Sequence, residues 1–150
     1  MCIRDRSTIH ERWLKTRPQE YGADVLERLQ QGQRLTATQY LRGQQARRVL
    51  VERFRLLFEK IDVLVTPTTS ILAPTLPESR GWMARGQLLG FTQLFNVLGQ
   101  PAVSVPCGFS RNGLPVGLQL VGRPFEEATL LRLAHAYEQQ AGWYKQRPAV

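Results

Sequence analysis

The sequence has few of the residues from which metal sites and disulfide frameworks are built. It contains two cysteines, Cys2 and Cys107, and two histidines, His10 and His135, and none of them lies at metal-ligand spacing. Two isolated cysteines indicate free thiols in a reducing compartment. We therefore expect no metal and no cofactor. Cys107 has no histidine near it in the sequence, so we interpret it as a small packing residue.

Long apolar runs and phosphate-binding motifs are absent as well. No apolar stretch approaches the roughly 20 residues that cross a bilayer, and the N-terminal sequence is charged where a signal peptide would be apolar. The glycines match neither a P-loop nor a dinucleotide-binding fingerprint. These absences predict a cytoplasmic protein that does not contact a membrane.

What is present has the composition of a globular domain. The chain has 150 residues, of which 43% are hydrophobic and 21% charged, and this is enough for one domain with a core. Residues 1–6 carry no periodicity and no helix cap, so we predict that they are a non-native leader. The domain is predicted over residues 7–142, with an exposed coil as the tail over residues 143–150.

Positive charge is concentrated near the N-terminus. The net charge is +8, and residues 1–60 hold 13 Lys and Arg against 7 Asp and Glu. Most of these basic residues interleave with apolar residues at helical spacing, which favours a solvated helix face over a nucleic-acid-binding surface. Direct binding of nucleic acid is therefore not expected. The alternative interpretation is a basic module that binds RNA or an acidic partner through the arginines of residues 42–55.

Periodicity predicts helices that alternate with short strands. Helices are expected over residues 11–31 with a break at Pro18, over 37–60 after a capping box of Thr36 and Gln39, over 87–98 and over 126–141. Strands are expected over residues 61–67, 102–105 and 116–121, and the Asn-Gly turn at 112–113 joins the last two as an antiparallel pair.

The order of these elements predicts an α/β fold, a partial mixed sheet flanked by helices. A long helix precedes residue 61, so the first strand is expected to be buried and parallel to its neighbours. Residues 66–82 contain three prolines and no periodicity, which predicts an irregular loop. Because loops that leave the carboxyl ends of strands wall the ligand crevice in such sheets, this loop is a candidate pocket wall.

Two polar residues stand out against apolar surroundings. Asn96 lies in the last turn of an apolar helix, where it is either a capping amide or part of a site. Strand alternation puts Gly117, Gln119 and Val121 on one face, so Gln119 either faces a cleft next to the space that Gly117 leaves or is an interior amide. Both alternatives stay open at this point.

Several ordered segments resemble one known family. FEKIDVLVTPT, FNVLGQPAVSVPCGF and GLPVGLQLVGRPFEEATLLRLAHAYEQ are similar to the C-terminal part of amidase-signature enzymes, and the resemblance covers about residues 8–141. It implies the C-terminal part of an amidase-signature α/β/α sandwich that hydrolyses an amide C–N bond, or transfers its ammonia, through an acyl-enzyme. The implied partners are a small amide substrate and, in the amidotransferase branch, further subunits.

The catalytic elements of that family are missing from this sequence. The resemblance implies a serine nucleophile, a second serine in a cis peptide and a lysine base, yet no GGSSGG-like segment occurs here. We therefore assign no catalytic residue and expect the chain alone to be inactive. Two interpretations stay open: the chain is part of an amidase site, or it is an incomplete, non-functional fragment. The expected contribution to a site is a wall of the substrate pocket, with Thr66, Asn96 and Gln119 as its candidates.

Overall fold

The computed structural model describes residues 3–79 and 82–146, with side chains over residues 5–79 and 86–146. The chain forms two compact units, Met1–Val49 and Leu50–Val150. Helix α4 begins in the first unit and ends in the second. In the described part of the chain, no helix is long and apolar enough to cross a membrane.

The first unit contains three short helices before α4, and a buried hydrogen bond joins the first of them to the third. They are α1 (Ile3–Ile9), α2 (Glu11–Thr16) and α3 (Ala23–Gln33), and Pro18 begins a 3-10 helix between the last two. The predicted break at Pro18 is thus confirmed. The buried Ser7 Oγ donates to the Leu29 carbonyl oxygen at 2.6 Å and ties α1 to α3.

Two sequence predictions in this unit meet different outcomes. Residues 3–6 are helical within α1, although no pattern predicted a helix there. Their origin as a non-native leader stays a prediction, and residues 1–2 lie outside the described residues. The helix predicted to end at residue 31 continues through the buried Gly32 and ends at Gln33. An αL cap is not formed, since the following Arg34 is right-handed at φ −81°.

Helix α4 (Ala37–Phe58) begins at the predicted capping box. The Thr36 N–H donates to Gln39 Oε1 at 2.9 Å, and the Gln39 N–H donates to Thr36 Oγ1 at 3.2 Å. This reciprocal pair satisfies two backbone donors that a helix start leaves without partners. The helix ends at Phe58, two residues earlier than predicted, and Phe58 is buried whereas Leu57 is exposed.

Within the described residues the sheet has three strands, β1 (Leu64–Pro67), β2 (Ala102–Phe109) and β3 (Pro115–Val121), in the order β1-β3-β2. Both pairings are antiparallel, so the parallel orientation predicted for β1 is wrong. A preceding helix does not decide strand direction, because β1 pairs with the distant β3 rather than with a strand joined to it by a crossover. Alternate β1 residues are exposed, which also corrects its predicted burial on both faces.

The predicted hairpin between β2 and β3 is confirmed, with a bulge that was not predicted. Gly113 has φ +75°, and its N–H donates to the Ser110 carbonyl oxygen at 2.9 Å. Register shifts between Pro106 and Gly108, which places Cys107 in a β-bulge. Gly108 takes φ +142° there.

The described part of the chain has four more helices, namely α5 (Leu76–Ser79), α6 (Trp82–Leu89), α7 (Gln93–Leu98) and α8 (Glu127–Ala141). Residues 66–82 are therefore not wholly irregular, because α5 lies among them. The single helix predicted over 87–98 is also wrong, since residues 90–92 form a turn between α6 and α7. On α8, Leu130 and Ala134 are buried whereas Leu133 is exposed.

The tail is partly ordered against the hairpin. Trp143–Lys145 form a 3-10 helix after the left-handed Gly142, which ends α8 as predicted. The Trp143 ring meets Phe109 edge-on, with ring centroids 6.1 Å apart, and this aromatic contact is the reason that the predicted coil is wrong here. Residues 147–150 lie outside the described part.

The sheet is covered on both faces, and β3 contributes to both. Val121 is fully buried in a cluster with Phe58, Phe95 and Leu98 from the flanking helices. Leu120 lies in a second cluster with buried residues of β2 and α8. The alternation predicted for β3 is thus confirmed, and the α/β class with helices around a sheet is confirmed with it.

Arg123, just after β3, joins the end of α4 to the end of the sheet. Its Nε donates to the Phe58 carbonyl oxygen at 3.0 Å, and its Nη2 donates to the Ile61 carbonyl oxygen at 3.2 Å. The guanidinium also pairs with Asp62 at 3.1 Å. It therefore satisfies a terminal helix carbonyl and the turn that leads into β1.

We expect Thr36→Ala to lower the free energy of unfolding by about 1 kcal/mol, because it removes the side-chain acceptor that caps α4. Thr38→Ala, in the first turn of the same helix, is the matched control and should be neutral or slightly stabilising. Urea denaturation followed by circular dichroism measures both. Equal effects of the two substitutions would contradict the role of the capping box.

We expect Gly117→Ala to destabilise the chain by about 1–3 kcal/mol, because a Cβ there would lie 2.7 Å from Thr68 Oγ1 and 2.9 Å from Ser104 Oγ. Gly43→Ala is the control, and it should change the free energy of unfolding in the opposite direction. Gly43 is in α4 with open space at its Cβ position, so alanine should stabilise the helix by up to about 1 kcal/mol. Thermal and urea unfolding measure the pair, and a neutral Gly117→Ala would contradict the close approach.

Candidate functional site

A cleft of about 620 Å³ opens in the second unit, beside the sheet. Its walls are residues 69–73 of the loop after β1, Leu88 of α6, Phe91 of the following turn, and residues 115–117 of β3, with Pro67 at the end of β1. A volume of this size lies in the range of small-molecule sites. The loop after Thr66, which was predicted from the sequence as a pocket wall, supplies most of the lining.

Thr66 and Gln119 contact each other in the sheet, and neither is among the described residues that line the cleft. They are direct cross-strand partners in the β1–β3 ladder. The Gln119 side chain is 4% exposed, and its Nε2 donates to Thr66 Oγ1 at 3.0 Å and to the Phe91 carbonyl oxygen at 3.2 Å. Gln119 is therefore a hydrogen-bonded interior amide, which joins β1, β3 and the turn that carries the cleft residue Phe91.

Asn96 is not brought to the same place. It is exposed on α7, and its backbone N–H donates to the Thr92 carbonyl oxygen at 3.4 Å. It is not one of the described residues that line the cleft. The structure thus joins Thr66 and Gln119 but not Asn96, and none of the three is among the described residues that line the cleft. A contact of any of them with a substrate stays a prediction.

A pair of hydroxyl groups lies across Gly117, next to the cleft. Thr68 Oγ1 and Ser104 Oγ are 2.5 Å apart, and Gly117 leaves the space in which they meet. The Thr68 N–H also donates to the Gly117 carbonyl oxygen at 2.9 Å. A serine nucleophile needs a base within hydrogen-bond reach, whereas the partner of Ser104 is another hydroxyl. The pair is therefore interpreted as structural, and it gives no reason to assign a catalytic residue.

No cysteine or histidine is among the described residues that line the cleft. Cys107 is a half-buried free thiol in the β-bulge, and His135 is exposed on α8. His10 Nδ1 lies 2.9 Å from the Tyr21 hydroxyl, in the first unit. Among the described residues, no group of three His, Cys, Asp or Glu side chains could hold a metal ion.

Two local features of the second unit were not predicted from the sequence. A continuous helix was expected over 87–98, yet the turn at residues 90–92 lets the Phe91 carbonyl oxygen accept from Gln119 and places Phe91 in the cleft lining. Helix α5 begins at a second capping box, in which Glu78 accepts from the Thr75 hydroxyl and backbone N–H at 2.8 and 2.9 Å. The Thr75 hydroxyl bond holds the pKa of Glu78 below its usual value. The Thr-x-x-Glu spacing is a readable signal for this helix start.

The arginines of α4 are partly neutralised within their own helix. Arg55 lies 2.8 Å from Glu52 and also pairs with Glu59 on the next turn. The hydrogen bond from Arg55 lowers the pKa of Glu52, and the two carboxylates raise the pKa of Arg55. These three side chains are exposed, which fits the solvated helix face predicted from the sequence.

We expect Gln119→Glu to lower the free energy of unfolding by about 1–3 kcal/mol at neutral pH, because a carboxylate cannot donate to Thr66 or to the Phe91 carbonyl oxygen. Asn96→Asp makes the same chemical change at an exposed position and should stay within about 0.5 kcal/mol. Urea denaturation at pH 7 compares the two. If both variants match the original chain, the interior role of Gln119 is wrong.

Comparison with known proteins gives the family. The family model described as Amidase matches residues 3–131. The chain is 42% identical over 146 residues to the A subunit of glutamyl-tRNA(Gln) amidotransferase from Thermodesulfovibrio yellowstonii, in a match that covers 93% of this chain and 30% of that protein. It is 44% identical over 124 residues to fatty acid amide hydrolase of Medicago truncatula, with 79% of this chain and 20% of that protein covered.

Solved structures agree with the sequence relatives. An allophanate hydrolase of Kluyveromyces lactis superposes with a TM-score of 0.84 at 26% identity, over 93% of this chain and 23% of that chain. A crystal structure of an amidase gives a TM-score of 0.81 at 30% identity, over 93% and 33%. The amidase-signature fold expected from the resemblance is thereby confirmed, and the chain belongs to the amidase family.

Proposed function

We propose that this chain forms one wall of the substrate site of a longer amidase that hydrolyses an amide C–N bond. The observation that carries the proposal is the cleft of about 620 Å³, whose lining residue Phe91 is held by the buried Gln119 side chain. The chain spans about 20–30% of the length of the curated relatives described above. In a protein of that length, the other residues of the site would come from the part that this chain does not cover. A cytoplasmic location belongs to the same proposal.

The reaction chemistry would come from residues that this sequence does not contain. A serine hydroxyl attacks the amide carbon, a neutral lysine accepts the hydroxyl proton through a second serine, and the amine leaves with a proton. Water then attacks the acyl-enzyme and releases the acid. A glycine- and serine-rich loop supplies the backbone N–H groups for the oxyanion, and GGSSGG-like sequences are absent here.

We propose no base among the three lysines of this chain, of which Lys60 is exposed just after α4. Lys15 Nζ pairs with Glu11 at 2.6 Å, four residues earlier on α2. Lys145 lies over the Tyr144 ring, 5.8 Å from its centroid. The role we propose for the chain is therefore to bind and orient a substrate, with Gln119 holding Phe91 in the cleft wall.

Two branches of the family fit this proposal. In a hydrolase, water accepts the acyl group, whereas an amidotransferase releases ammonia from an amide for use by another of its subunits. Relatives of both kinds are similar to this chain over most of its length. Other amidotransferase subunits are thus proposed partners in the second branch, and a small amide is the proposed substrate in both.

We expect the chain alone to release no ammonia from hexanamide or glutamine, because the nucleophile and the base are missing. Ammonia release is measured at saturating amide, with buffer as the blank. Ser104→Ala is the control, since Ser104 is the serine whose hydroxyl lies next to the cleft. If the chain releases ammonia and Ser104→Ala abolishes this release, the proposal is refuted.

A further inference from the structure

We propose that Asn112 is a site of spontaneous covalent modification, at which the side-chain amide is converted to a carboxylate, and that hydrogen bonds of Ser110 set its rate. Both residues belong to the segment that joins β2 to β3, and neither is among the described residues that line the cleft. The modification is therefore independent of the proposed function.

The reaction joins the asparagine side chain to the backbone nitrogen of the next residue. The Gly113 nitrogen loses its proton to a base from the solvent and attacks Asn112 Cγ. The new N–Cγ bond closes a five-membered succinimide ring, and the side-chain nitrogen leaves as ammonia. Water then opens the ring, and attack at Cγ gives aspartate whereas attack at the main-chain carbonyl carbon gives isoaspartate. One water is consumed and one ammonia is released, so no further reactant is needed.

Only one of the two asparagines in the sequence has a neighbour that favours this ring closure. Asn112 is followed by Gly113, which has no Cβ to obstruct its nitrogen, and the position that a Cβ would take there is open space. Asn96 is followed by the β-branched Val97 inside α7, where the backbone is held in a helix. Both asparagines are exposed, so exposure alone does not distinguish them.

The turn between β2 and β3 holds the attacking nitrogen in the folded chain. Arg111 and Asn112 are the central residues of a β-turn, which the Gly113 N–H closes by donating to the Ser110 carbonyl oxygen at 2.9 Å. Ring closure requires the Gly113 nitrogen to give up this bond and rotate toward the Asn112 side chain. The reaction therefore proceeds from the fraction of molecules in which the turn is open.

Ser110 stabilises the closed turn through two further hydrogen bonds with Leu114. The Ser110 N–H donates to the Leu114 carbonyl oxygen at 2.8 Å, and Ser110 Oγ accepts from the Leu114 N–H at 3.1 Å. The Asn112 side chain has no hydrogen bond within the part of the chain that the structure describes. The backbone of the turn, braced by Ser110, is therefore what opposes ring closure.

The test is incubation of the chain in mildly alkaline buffer, with samples taken over time. The new carboxylate lowers the net charge from +8 to +7, so ion-exchange chromatography separates the modified chain. Mass spectrometry of its peptides locates the change, and labelling by an isoaspartyl methyltransferase identifies isoaspartate. We expect modification to accumulate at Asn112 while Asn96 stays intact. Equal rates at the two asparagines, or no modification at either, would overturn the proposal.

A pair of serine variants tests the role of the turn. Ser110→Ala should speed the modification of Asn112 about twofold to tenfold, the factor by which loss of one hydrogen bond raises the open fraction. Ser79→Ala is the matched control, because it also removes one hydroxyl hydrogen bond, from Ser79 Oγ to the Leu76 carbonyl oxygen on α5, and should leave the rate unchanged. If Ser110→Ala reacts no faster than the original chain, Ser110 does not set the rate.

A second measurement keeps the proposal testable if Ser110→Ala does not fold. The original chain is incubated folded and, in parallel, unfolded in urea. Asn112 should react more than about tenfold faster in the unfolded chain, because unfolding removes every hydrogen bond of the turn and not only one. Equal rates in the two states would show that the turn does not protect Asn112 and would overturn the proposed control.

Discussion

Strand β3 sets the constraint that the rest of the second unit satisfies, because it is hydrogen bonded along both edges and packed on both faces. A polar side chain in such a strand has no water to bond, and a buried donor without a partner costs about 1–3 kcal/mol. Gln119 meets this constraint by donating to Thr66 and to the Phe91 carbonyl oxygen. The position of the cleft wall follows, since the turn between α6 and α7 must bring its carbonyl oxygen to that amide.

The same physical rule explains Arg123. The end of α4 leaves carbonyl groups without partners inside the helix, and the guanidinium carries several donors in a fixed geometry. It reaches Phe58 and Ile61 while pairing with Asp62, which connects the helix end to the entry into β1. Polar residues of the second unit thus position the segments between elements, and apolar residues fill the two clusters on the sheet.

Local features were predictable because their determinants lie within a few residues of one another. Thr36 and Gln39 form the capping box that their spacing indicated, and Gly113 takes the left-handed turn expected of Asn-Gly. The faces of β3 follow from alternation alone. The break at residues 90–92 was not predictable in this way, because Leu88, Phe91 and Leu94 keep helical spacing across it.

The sequence by itself determined the family, the helix start at Thr36, the β2–β3 hairpin and the two faces of β3. Only the tertiary structure decided that β1 pairs antiparallel and that the loop after β1 lines a cleft. It also decided that the Gln119 side chain donates its hydrogen bonds to Thr66 and Phe91, while Asn96 is exposed. The physical reason is distance along the chain. Capping and turn formation join residues that are two to four positions apart, whereas the Gln119–Thr66 bond spans 53 positions and depends on which strands pair.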